Sequence, residues 1–100
     1  MERNEVSTHE IAVFKSLLEA EGWLTSRDIA TLAEIAPRTA RAHALKLVRL
    51  GIADQAEVFP GHRYRIAEFA AKRNRGYVDR LARAANALGI ELNLPANTGA

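Results

Sequence analysis

The fold turns on how Thr39-Ala-Arg-Ala-His-Ala-Leu-Lys-Leu-Val-Arg-Leu-Gly51 is assigned. With Pro37 in its first turn, where a missing N–H is harmless, it reads as one helix. Ala40, Ala44, Leu47 and Val48 recur at helical spacing and form a narrow apolar back. Arg38, Arg41, Lys46 and Arg49 lie off that stripe, and no acid in residues 37–51 balances them. Gly51 follows the last turn and is free to take the left-handed conformation that ends helices. Two readings fit such a helix. Its small back and basic front suit insertion between phosphates, and they equally suit a core helix with a solvated basic face.

The bulk properties narrow the choice. One hundred residues hold one domain with at most an appended element, too little for a large enclosed active-site cavity. Hydrophobic residues make up 48% of the chain but aromatics only 6%, and much of the remainder is alanine. The core is therefore expected to be helical, with backbones in close approach. There is no cysteine, hence no disulfide and no thiolate metal site, which fits a reducing cytosol. The start of the chain has no apolar leader, and the longest apolar run, Ile11-Ala-Val-Phe14, is far short of a membrane span. A cytoplasmic protein with no membrane partner is expected.

The net charge of +2 conceals a division. Residues 1–36 carry seven acids and three bases, whereas residues 37–83 carry eleven bases and four acids. If the halves do not interleave in space, the molecule has a basic face, and a basic face implies a polyanionic partner.

Taken in order, residues 1–6 look disordered. Ser7-Thr-His-Glu10 is a capping box opening a first helix over residues 8–21. Ile11, Phe14, Leu17 and Leu18 form its buried stripe, Glu10, Glu19 and Glu21 face solvent, and Gly22 stops it. Trp23-Leu-Thr25 is too short for an independent strand but fits one rung beside a later hairpin. Thr25-Ser-Arg-Asp28 caps a second, short helix over residues 26–33, with Ile29, Leu32 and Ala33 inward and Ala30 facing the next helix. Ile35 is expected to plug the angle before the basic helix. After Gly51 the period shifts towards two. Residues 52–58 and 62–66 read as strands joined by Phe59-Pro-Gly61, a turn signal. Tyr64 and Ile66 share one strand face, Arg63 and Arg65 the other. Helical periodicity returns from residue 67 to about residue 88, with Gly76 either breaking it or admitting a close neighbour, and Gly89 ending it. Residues 90–100 read as a flexible tail.

This order resembles the winged helix-turn-helix family of prokaryotic transcription regulators. The resemblance is carried by Ile29-Ala30, Ala33, Ile35, Thr39-Ala40, His43-Ala44, Leu47, Gly51-Ile52 and the hairpin ending Gly61-His-Arg-Tyr-Arg-Ile66. It implies a mainly α fold with a small β-hairpin: a winged helix-turn-helix over residues 7–66 with an added C-terminal helix over residues 67–89. Two positions depart from the family's habit. Glu34 stands where glycine is usual at the turn, and Ala40 and Ala44 are smaller than the usual aliphatics.

By the resemblance, Arg38 and Arg41 read base edges, as arginine does with guanine, and Thr39 and Ala42 lie beside them at the major groove. Ser26, at the start of the second helix, also lies at or near the major groove, His43, Lys46 and Arg49 reach backbone phosphates, and His62, Arg63 and Arg65 on the wing reach an adjacent groove or its phosphates. Each arginine has plain solvation as its alternative, and His43 a half-buried helix position. Lys72, Arg73 and Arg75 either extend the phosphate footprint or form a solvated face. The C-terminal stripe of Tyr77, Val78, Leu81, Ala84 and Leu88 either folds back on the domain or forms a dimer seam. The expectation is a homodimeric repressor of transcription that binds double-stranded DNA. The competing readings are a winged-helix protein–protein module and a DNA-binding accessory factor of replication, partition or recombination. No catalytic constellation, cofactor motif or paired metal-ligand spacing stands out: His9, His43 and His62 are far apart, and no phosphate loop is present. Nothing identifies a small-molecule effector.

Overall fold

The computed structural model describes residues 6–20, 22–58 and 61–94. Five helices and a two-stranded antiparallel hairpin follow one another as α1 (Thr8–Glu19), α2 (Ser26–Ala33), α3 (Pro37–Arg49), β1 (Ala53–Val58), β2 (Gly61–Ile66), α4 (Ala70–Arg73) and α5 (Arg75–Ala87). This is a winged-helix arrangement with a C-terminal helical extension. The expected disorder of residues 1–5, the solvent-facing Glu21, the Phe59-Pro60 turn and the last residues of the tail lie outside the described residues.

The Ser7 hydroxyl accepts the Glu10 N–H at 3.1 Å and opens α1, whose Ile11, Phe14 and Leu17 are fully buried. Glu10 does not complete the box and does not face solvent. It is 2% exposed and turns inward towards α3. The helix also stops before Gly22: Ala20 is already extended. The chain must straighten early because Leu24 pairs with Tyr64 in the anticipated single rung, through two backbone hydrogen bonds of 2.8 Å.

At the start of α2, Thr25 and Asp28 form a reciprocal capping box. Ile29 and Ala30 are buried, but Leu32, expected inward, is 59% exposed. It sits two residues beyond Ala30, about 200° round the helix. Glu34 ends α2 with φ 60 and ψ 47, the left-handed conformation glycine would adopt more easily. The Ile35 N–H reaches back to the Ala30 carbonyl at 3.0 Å, and the Ile35 side chain packs against the core.

Pro37 does open α3, and Ala40, Ala44 and Leu47 are wholly buried. The C-terminus of α3 is a Schellman motif. Gly51 has φ 80, its N–H bonds the Val48 carbonyl, and the Ile52 N–H bonds the Leu47 carbonyl. The hairpin pairs Ala53 with Ile66 at its base and Val58 with Gly61 at its tip. Tyr64 is buried and Arg65 exposed, as strand alternation requires.

Helix does not resume at residue 67. The Ala67 N–H bonds the Ile52 carbonyl at 2.8 Å, which keeps the chain extended and delays α4 to Ala70. The later break falls at Asn74, not at Gly76. Asn74 (φ −149, ψ 70) caps α5 by accepting the Tyr77 N–H, and its amide donates to the Leu50 carbonyl at 3.1 Å. Gly76 is an exposed first-turn residue with no atom within 4 Å of where its Cβ would stand, so no helix crosses there. Gly89 ends α5 through a second Schellman motif, with the Ile90 N–H on the Ala85 carbonyl at 2.8 Å. Ile90 and Leu92, read as flexible tail, and Val6, read as disordered, all pack against the core. No helix among the described residues is long and apolar enough to cross a membrane.

Candidate nucleic-acid interface

The outward face of α3 lies opposite the buried Ala40-Ala44-Leu47 stripe. Arg38, Ala42 and Arg49 project from it, and Arg41 stands exposed on one flank. Among the described residues none of these three arginines is paired with a carboxylate, whereas Lys15, Lys46, Arg65 and Arg73 each are. On α3 itself Lys46 is thus compensated, while Arg38, Arg41 and Arg49 are not.

The other flank of α3 faces α1 and is built differently. Lys46 lies 3.2 Å from Glu10 and 5.4 Å from the Tyr77 ring centroid, so it ties α3 to α1 and α5. His43 is half-buried, with its ring edge-on to His9 at 6.3 Å between centroids. Burial holds its pKa below the usual imidazole value, Glu10 opposes that shift, and the charges of His9 and Lys46 add to it. The fold thus favours the neutral ring over the charged one, which weakens His43 as a cation. Thr39 is half-buried on the same flank.

The wing brings a second group together. Thr25, Ser26 and Arg27 at the start of α2 and Gly61, His62 and Arg63 at the hairpin tip line one open cleft of about 300 Å³. Nothing local in the sequence marks Arg27, because only the hairpin's fold towards α2 places it beside Arg63. Arg65 is not part of this group. Its guanidinium lies 4.4 Å from the Trp23 ring centroid and 3.9 Å from Asp54, near the hairpin base. His62 is within 3.3 Å of Gln55 and 4.0 Å of Glu57 across the hairpin.

The stripe considered for a dimer seam takes its other course and folds back. Tyr77, Val78 and Leu81 are 8%, 2% and 0% exposed within a single chain. Ala84 is half-buried, and Leu88, at 54%, is the one member that stays exposed. A seam made of all five is therefore unavailable: α5 completes the core that α1 and α3 leave open.

No cluster of three or more potential metal-binding side chains occurs among the described residues. No protein-family model matches the chain, and no curated protein matches it significantly.

Proposed function

We propose that this chain is a sequence-specific double-stranded DNA-binding transcription regulator of the winged-helix kind, acting in the cytoplasm as a repressor. The observation that carries the reading is the set of arginines Arg38, Arg41 and Arg49, exposed and paired with no carboxylate among the described residues, on a helix that exposes no large apolar side chain. A protein-binding version of the same helix would display apolar residues. Here Leu45, Val48 and Leu50 are partly buried against the core. Arg38 and Arg41 read base edges, Arg49 holds a phosphate, and Arg27 and Arg63 hold phosphates from the cleft beside the wing. Repression follows from occlusion, which needs no activating surface. Two copies on paired half-sites would have Leu88 and Ala84 as their apolar contact, and sedimentation reads whether that suffices.

The test is fluorescence anisotropy on a labelled random-sequence duplex across a salt series. Log affinity should fall linearly with log salt, at about 0.9 per phosphate neutralised, and the slope should shrink in an Arg38→Ala, Arg41→Ala double variant. Absence of binding at low salt would rule the reading out.

A further inference from the structure

A second set of cations follows the hairpin, and the fold fastens it to the C-terminal end of α3. Asn74, at the elbow between α4 and α5, donates to the Leu50 carbonyl at 3.1 Å. Arg73 packs beside Gly51, its Cβ 3.7 Å from where a Cβ on that glycine would lie, and its guanidinium reaches Asp54 at 3.7 Å. One turn on, two cations from different elements share one aromatic ring: Lys46 of α3 and Arg80 of α5 each lie 5.4 Å from the Tyr77 centroid. Arg75 occupies the first turn of α5, where the helix dipole disfavours a cation. Among the described residues neither Arg75 nor Arg80 is paired with a carboxylate, and both are exposed. With Arg73 held by Asp54 and Lys46 by Glu10, Arg75 and Arg80 are the elbow's cations that meet no carboxylate among the described residues.

We propose that the α4–α5 elbow is a second phosphate-contact surface for the same duplex. It rests on the DNA-binding reading given above. With α3 in a groove, Arg75 and Arg80 hold backbone phosphates beyond its C-terminal end. The wing cleft contacts the backbone elsewhere: Asp54, which meets Arg73, is near the hairpin base, and Gly61 is at the tip, about 14 Å further along the ladder. The terminal helices are therefore DNA-binding elements that lengthen the footprint of one copy. This also accounts for α5 turning its apolar stripe inward and its arginines outward.

The experiment is the same salt-resolved anisotropy titration, on a duplex of about two helical turns. It compares the unmodified protein with Arg75→Gln/Arg80→Gln, with Arg38→Ala/Arg41→Ala, and with Lys15→Gln. Lys15 lies on α1 in a solvent-facing pair with Glu19, and its single charge matches the one removed in Arg75→Gln. The elbow double variant should lower the salt slope by about 1–2 and weaken binding roughly tenfold near 0.1 M salt, while Lys15→Gln leaves both unchanged. Arg75→Gln alone, which breaks no ion pair among the described residues, should lower the slope by about 1. Thermal melting checks that every variant is folded. An unchanged slope in the elbow variants, with a reduced one in the α3 variant, overturns the elbow and leaves the DNA reading standing. A drop in Lys15→Gln equal to that in Arg75→Gln also overturns it, because the effect would then be one of overall charge. No binding by the unmodified protein removes the reading beneath it.

Discussion

The carboxylate of Glu10 lies 3.2 Å from the ammonium of Lys46, thirty-six residues along the chain. The two ends differ: the Glu10 side chain is 3% exposed and the Lys46 side chain 46%. Only one oxygen of the carboxylate is engaged, since Oε2 has no partner among the described residues. Removing Lys46 would therefore leave a buried charge uncompensated. Lys46→Met should destabilise the fold by about 1–3 kcal/mol in urea denaturation, with much of the loss recovered in Glu10→Gln/Lys46→Met. A Lys46→Met protein of unchanged stability would show that the pair is not holding α3 to α1.

His43 supplies a pH dependence. Burial is the main cause of its lowered pKa, so the folded state favours the neutral ring. As pH falls past about 6.5, the unfolded chain takes up this proton before the folded one does. The contribution of His43 to stability is thus complete above that pH and is lost as the pH drops through the folded-state pKa. Melting curves between about pH 5 and 7.5 should show a slope that His43→Gln removes, and an NMR titration should place the ring below the free-imidazole value. A titration midpoint at or above that value refutes the prediction.

Glu34 holds a left-handed conformation at the turn between α2 and α3, with its side chain exposed. Glu34→Gly relieves the Cβ clash but loosens the unfolded chain, and the first effect is the larger. A gain of about 0.5–1 kcal/mol is expected. The reverse substitution, Gly51→Ala at φ 80, should cost about 1–2 kcal/mol. Equilibrium unfolding of both variants measures the pair, and opposite signs are required.

Arg65 lies over Trp23, the single tryptophan of the chain. Arg65→Gln should alter the tryptophan emission and lower stability by about 0.5–1 kcal/mol. It should leave the salt slope of DNA binding as it was, because Arg65 is engaged at the hairpin base. Arg63→Gln should do the converse. A fall in the salt slope for Arg65→Gln would return that residue to the wing contacts.

The features legible in the residues alone are local. Ser7, Thr25 with Asp28, Gly51 and Gly89 fix helix ends through bonds spanning a few residues, Pro37 does so through its fixed φ, and each acts at its expected end of a helix. The apolar spacing of residues 40–47 and the alternation at Tyr64 and Arg65 needed no knowledge of distant partners. Which cations are compensated and which helix faces are covered depends on the folded chain. Lys46 and Arg38 look alike in sequence, but one meets Glu10 and the other meets no carboxylate among the described residues. Asn74 breaks the last helical segment instead of Gly76 because a carbonyl of Leu50, twenty-four residues earlier, is within reach of its amide. The stripe of α5 is core because α1 and α3 leave a gap of its shape. Charge and apolarity are carried by the residue, but compensation and burial belong to the pair, and the fold chooses the pairs.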